Sequence, residues 1–117
     1  MADKKKILIA ESTGLVDIYE RLLPNYDVEV IRNGEALFNR LRKGVGGIDM
    51  LVLDGGMQWE KKGSEIATEY KRKNPDFPVV VTSESPEKYK SLAQVNIPVY
   101  RIMDAYNLAD YIKKTLG

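Results

Sequence analysis

Ile48-Asp49-Met50-Leu51-Val52-Leu53-Asp54-Gly55-Gly56-Met57 is a short apolar run that stops at a carboxylate and turns on two glycines. An apolar run bounded by turn signals is the signature of a strand buried on both faces, and helices rarely stop in Asp-Gly-Gly. In open parallel α/β sheets, ligands gather at the carboxyl ends of the strands. Asp54 therefore stands where such a fold places its chemistry. The same residues also suit an ordinary strand-ending turn, in which Asp and Gly are common.

Upstream of this run, Lys6-Ile7-Leu8-Ile9-Ala10 reads as a first strand ending in Glu11-Ser12-Thr13-Gly14. Leu15, Ile18, Tyr19 and Leu22 recur at helical spacing, and Pro24 closes that helix. Asp27 to Ile31 alternates as a half-exposed strand, followed by a turn signal at Asn33-Gly34. Ala36, Leu37, Phe38 and Leu41 place an apolar stripe on a second helix that fails at Gly44. Downstream, a third helix is expected from near Ser64, with Ile66, Ala67 and Tyr70 inward, ending before Asn74-Pro75. Phe77 to Thr82 is a buried strand rich in β-branched residues. Ser85-Pro86-Glu87 has the composition of a helix opening, with a cap hydroxyl, Pro at the first position and an acid in the first turn. Tyr89, Leu92 and Ala93 would carry the buried side of that fourth helix. Ile97 to Ile102 reads as a fifth strand, with Pro98 pointing to a sheet edge. Asn107 is placed to cap a last helix, with Asp110 in its first turn and Tyr106 and Tyr111 spaced for a hydrophobic staple. Leu108, Ile112 and Leu116 continue its apolar side.

Five strands alternating with five helices predict a flavodoxin-like (βα)5 fold: a doubly wound, five-stranded parallel sheet with helices on both faces. At 117 residues, the expectation is one domain, without a separate output domain and with a core that needs no disulfide or metal staple. The chain has neither Cys nor His, which removes thiol catalysis, Ser-His-Asp triads and most zinc sites. A net charge of +1 gives no electrostatic case for nucleic acid or acidic membranes. Lys4-Lys5-Lys6 beside Asp3 reads as a solvated edge. No segment has membrane-spanning length or the form of a signal peptide, so a cytoplasmic location is expected.

Three strand ends point the same way: Glu11-Ser12, Asp54 and Thr82-Ser83. If the sheet has the doubly wound order 2-1-3-4-5, strands one, three and four are neighbours and these residues converge. Clustered carboxylates raise one another's pKa unless a cation neutralises them. Oxygen-rich sites of this kind suit Mg²⁺, which uses few protein ligands and keeps several waters. Such a site is suited to accepting a phosphoryl group on Asp54, with a hydroxyl such as Thr82 available to an anion held there.

This arrangement resembles the receiver domain of bacterial two-component response regulators, along the whole chain. Lys6 to Ser12 looks like the family's first strand and acidic pair. Asp49 to Met57 looks like the phosphoacceptor segment, and Phe77 to Ser83 like the strand ending in the switch hydroxyl. The resemblance implies Asp54 as the site of phosphorylation by a histidine kinase or phosphotransfer protein, and Thr82 as a partner of the phosphoryl oxygen. It implies Mg²⁺ held by Glu11, Asp54 and the carbonyl of Gly56. It also implies a downstream protein target and a switch or interface face containing Tyr89, Tyr100, Tyr106 and Tyr111, with a homodimer through the last two helices as one use of it. Such a domain takes part in its own phosphorylation without being a substrate-processing enzyme.

The departures from the family pattern are specific. Ser12 replaces the second acid, which weakens the expected Mg²⁺ site. The position of the family's lysine falls on Met103 or Asp104, and neither can pair with a phosphoryl group; Arg101 or Lys88 could substitute from nearby. Gln58 stands where the family usually has Pro. Two readings stay open: a receiver still phosphorylated on Asp54, and a phosphorylation-independent pseudo-receiver that works as an interaction module. A small flavin-binding protein of flavodoxin type is a third, resting on Ser12-Thr13-Gly14, but it gives Asp54 and Thr82 no role and has only Trp59 as a candidate stacking ring. Gly44-Val45-Gly46-Gly47 precedes a strand and so belongs to the wrong end of the sheet for a nucleotide loop.

Overall fold

The computed structural model describes residues 4–12, 14, 16–58 and 60–117; the expectations placed on Asp3, Thr13, Leu15 and Trp59 lie outside them. Strand β1 (Lys6–Ala10) is followed by α1 (Val16–Leu22), β2 (Asp27–Ile31), α2 (Gly34–Arg42), β3 (Met50–Asp54) and α3 (Gly63–Lys73). Then come β4 (Val79–Ser83), a 3₁₀ helix (Pro86–Val95), β5 (Val99–Arg101) and α4 (Ala105–Leu116). All four pairings are parallel, in the order β2-β1-β3-β4-β5. This is the expected doubly wound sheet, with β2 and β5 at its edges. Pro98 directly precedes edge strand β5, where a missing N–H costs the sheet least.

Successive strand residues face opposite ways, so β3 feeds two cores. Met50 and Val52 pack with Ile7, Ile9 and Val80 under Tyr19 of α1 and Leu108 and Ile112 of α4. Leu51 and Leu53 pack with Leu8, Val79 and Val81 under Leu37 of α2, Ala67 of α3 and Leu92 of the 3₁₀ helix. Burial on both faces explains why β3 and β4 read as unbroken apolar runs.

The structure corrects several local expectations. Asn33-Gly34 is a helix start, not a free turn: Asn33 Oδ1 accepts the Ala36 N–H at 2.8 Å, and α2 begins at Gly34. Ala36 therefore falls on the exposed side of α2. The fourth helix is 3₁₀ instead of α-helical, and Ser85 makes no side-chain cap. Instead the Ser85 N–H donates to Ser83 Oγ at 2.9 Å. Tyr89, at φ −119° and ψ 26°, interrupts the 3₁₀ helix. With three residues per turn the inward positions shift, so Leu92 is buried and Ala93 is exposed. Finally, α4 starts two residues before Asn107, with Asp104 at the cap position. Asn107 Nδ2 donates to both Asp104 carboxylate oxygens at 2.9 Å. The earlier start turns Tyr106 outward, 72% exposed, and no staple forms. Tyr111 packs instead on Tyr100, ring centroids 5.7 Å apart.

Candidate functional site

The register of the central strands builds the site. Ala10 pairs with Leu53 and Asp54 with Thr82, so Glu11, Asp54 and Thr82 end adjacent strands side by side. Thr82 in turn pairs with Tyr100 on β5. Glu11 and Thr82 are each 1% exposed, and Thr82 Oγ1 donates to Glu11 Oε2 across a long 3.4 Å. Asp54 is half-buried and its Oδ1 accepts the Gly56 N–H at 2.9 Å.

These surroundings set the proton affinity of Asp54. Burial raises its carboxyl above the ordinary carboxylate range, the Glu84 charge adds to this, and the Gly56 N–H opposes it. Tyr19, buried beneath, registers the same concentration of acids. Its hydroxyl lies 3.4 Å from the Ile102 carbonyl. It is pushed up to about 12, first by burial and then by Glu11, Asp104 and Asp54.

The loop after Asp54 is fixed by backbone hydrogen bonds. Gly55 N–H donates to the Thr82 carbonyl at 2.8 Å, and Gly63 N–H to the Met57 carbonyl at 2.7 Å. Of two glycines in close approach here, Gly55 is tightly packed and Gly63 is sterically required. A Cβ on Gly55 would meet Val81 Cγ1 at 3.0 Å and the Tyr89 ring at 3.2 Å, so Tyr89 lies directly over the residue after Asp54. At Gly63 a Cβ would collide with the Asp54 carbonyl oxygen.

An open pocket of about 310 Å³ lies over Asp54, its walls including Ser12, Gly56, Glu84, Lys88 and Tyr89. Lys88 is the one basic residue in the wall among the described residues. Arg101 turns elsewhere, its guanidinium donating to the Glu84 carbonyl at 3.1 Å. Met103 is 75% exposed, and the Asp104 carboxylate is held by Asn107. Among the residues expected to switch or dock, Tyr89 lies in the pocket wall and Tyr100 and Tyr111 pair behind β5. Tyr106 stands outside on α4. Gly44-Val45-Gly46-Gly47 falls in the loop before β3, at the opposite end of the sheet.

The residues that sequence reasoning missed are Glu84, Gly63 and the contact of Tyr89 with Gly55. Glu84 carried a signal, as an acid two residues past Thr82. Gly63 and the Tyr89 contact depend on packing between loops distant in the sequence.

Mg²⁺, the ion implied by the resemblance, can be tested against these donors. Among the described residues, no group of three or more Asp or Glu side chains is gathered closely enough to enclose a metal. Asp54, however, is an anion that burial and Glu84 disfavour, and a hard cation would relieve both effects. The residues fit a sparse site in which Asp54 and the Gly56 carbonyl hold the ion with water. Glu11, buried with one carboxylate oxygen on the Thr82 hydroxyl, would be the further carboxylate the resemblance implies.

No protein-family model and no curated protein matches the sequence. Solved structures do. A CheY-like response regulator receiver domain protein from Methanospirillum hungatei JF-1 is 17% identical with a TM-score of 0.77, covering 97% of this chain and 94% of that one. The chemotaxis response regulator CheY4 of Vibrio cholerae is 17% identical with a TM-score of 0.75, covering 97% and 100%. DrrB, an OmpR/PhoB homolog from Thermotoga maritima, is 18% identical with a TM-score of 0.76, covering 97% of this chain and 53% of that one. Strand order, the Asp54–Thr82 register and these likenesses agree: the chain has the fold of response-regulator receiver domains.

Proposed function

We propose that the chain is a phosphorelay receiver in which an Asp54 carboxylate oxygen takes a phosphoryl group from a histidine kinase or phosphotransfer protein. One observation carries the reading: a half-buried, proton-attracting carboxylate ends the central strand at an open pocket, in register with Thr82. In-line transfer leaves the donor imidazole as leaving group and needs little beyond positioning and charge neutralisation. Bound Mg²⁺ would supply part of that neutralisation. Thr82 would exchange its 3.4 Å hydrogen bond to Glu11 for a phosphoryl oxygen. Lys88, in the pocket wall, would provide the cation that Met103 and Asp104 do not. Exposed Met103 and Tyr106 at the β5–α4 corner would offer apolar contact to a downstream protein or a second copy.

Transfer of labelled phosphate from a phosphorylated histidine phosphotransfer protein tests this. Label should reach the wild-type chain and not Asp54→Ala, with transfer slowed about tenfold in Lys88→Ala. Equal labelling of the Asp54 variant would overturn the assignment.

A second reading, a phosphorylation-independent interaction module, is favoured by the residues at the position of the family's lysine, Met103 or Asp104, the first exposed and the second held by Asn107. It requires partner binding that is unchanged in Asp54→Ala and indifferent to phosphodonor.

A further inference from the structure

We infer that the groove between α2 and α3 is a docking site for an acidic peptide segment carrying apolar anchors. The groove is separate from the Asp54 pocket, sharing no wall residue with it, and has a volume of about 290 Å³. Its floor is Phe38, Leu41, Ile66 and Tyr70, each only partly buried, with Leu41, Ile66 and Tyr70 packed on the core. Its rim carries three cations, Arg42, Lys61 and Lys73, against one acid, Glu69.

The rim keeps a net positive charge, although Glu69 offsets part of it by bonding Lys61 and by its attraction to Lys73. Lys61 pairs with Glu69 at 2.7 Å, with both side chains about half exposed. Among the described residues no carboxylate pairs with Arg42, Lys43 or Lys73. Other cations on these helices have partners and are not counted: Arg40 binds Glu29 at 2.7 Å, and Lys71 Nζ donates to the Phe77 carbonyl at 2.8 Å. Arg42 stands 5.7 Å over the Phe38 ring, which sets a charge beside the apolar floor. Arg42 also joins Lys43 at a neighbouring depression, extending the positive edge.

This local excess sits on a chain of net charge +1, so it is a feature of the face and not of the whole protein. Cations flanking a concave aromatic and aliphatic floor complement an amphipathic segment whose apolar side chains enter the groove and whose carboxylates meet the rim. A polyphosphate or lipid surface would use the cations and leave the floor without a partner.

The test is an NMR titration of the isotopically labelled full chain with a short Glu-rich peptide bearing two Leu residues at positions i and i+4. A peptide with both Leu replaced by Ser, an anionic phosphatidylserine vesicle and a DNA duplex serve as comparison probes. The expected result is shift changes confined to α2 and α3, with affinity about tenfold weaker for the Ser peptide and for the Arg42→Glu/Lys73→Glu double variant. Both substitutions lie on exposed helix positions, and an unchanged melting curve would confirm the fold. Absence of shifts at millimolar peptide, shifts outside α2 and α3, or equal binding by the Ser peptide would overturn the proposal. So would vesicle or DNA binding that exceeds the peptide's and uses the same residues.

Discussion

At Asp54 opposing effects meet: burial and the Glu84 charge disfavour the anion, while the Gly56 N–H favours it, and the sum raises the pKa. A carboxyl whose pKa is higher folded than unfolded binds more protons in the native state, so stability falls as pH rises through the folded value. Asp54→Asn keeps the Gly56 hydrogen bond and removes the charge. The variant should be more stable than wild type to urea at pH 7, with the difference vanishing below the unfolded value of 3.8. Equal stability at pH 7 would mean that the buried charge carries no cost. The positions of Asp54 and Thr82 were readable in the sequence because an apolar strand that stops at a polar residue fixes where that residue emerges. Glu84, Tyr89 and Gly63 were not, since side chains crossing between loops leave no periodic trace. The charge that shifts Asp54 comes from the next strand's loop, 30 positions away by the sequence numbering.

Among the elements, existence was easier to read than type. Asn33 belongs equally to turns and to helix caps, because in both its side chain accepts a nearby backbone N–H. Only the 2.8 Å bond to Ala36 decides between them. Asn33→Ala should cost about 1 kcal/mol in chemical denaturation; no loss would argue against the cap. The Ser85-Pro86-Glu87 opening is likewise shared by α and 3₁₀ helices, and the interruption at Tyr89 lies in backbone angles that composition does not reveal. The 3₁₀ segment Pro86–Val95 is broken at Tyr89 and has poorer hydrogen-bond geometry than an α-helix. Its amides should therefore exchange with solvent faster than those of α4, which buries Leu108, Ala109 and Ile112. Hydrogen exchange read by mass spectrometry checks this; equal protection of the two segments would contradict it. Tyr89 couples this looser element to Gly55, beside Asp54. A phosphoryl group on Asp54 would press on that contact, so exchange in Pro86–Val95 should change on phosphorylation more than exchange in α3.

For the whole molecule, alternation of strand and helix points to a doubly wound parallel sheet with right-handed crossovers, and the structure supplies its order, β2-β1-β3-β4-β5. That order alone brings Glu11, Asp54 and Thr82 together from positions far apart in the chain. Function is carried by particular residues on this frame, and here the frame sets Asp54 and Thr82 side by side at the ends of neighbouring strands. The account makes Asp54 the chemical centre, with Lys88 compensating for the missing cation. The most direct test is intact-mass measurement after treatment with a small-molecule phosphodonor, with and without Mg²⁺, on wild type, Asp54→Ala and Lys88→Ala. The account predicts one phosphoryl adduct on wild type that depends on Mg²⁺, none on Asp54→Ala and a slower gain on Lys88→Ala. An adduct that persists in Asp54→Ala, or no adduct on wild type from either the small donor or a phosphorylated histidine protein, would contradict it.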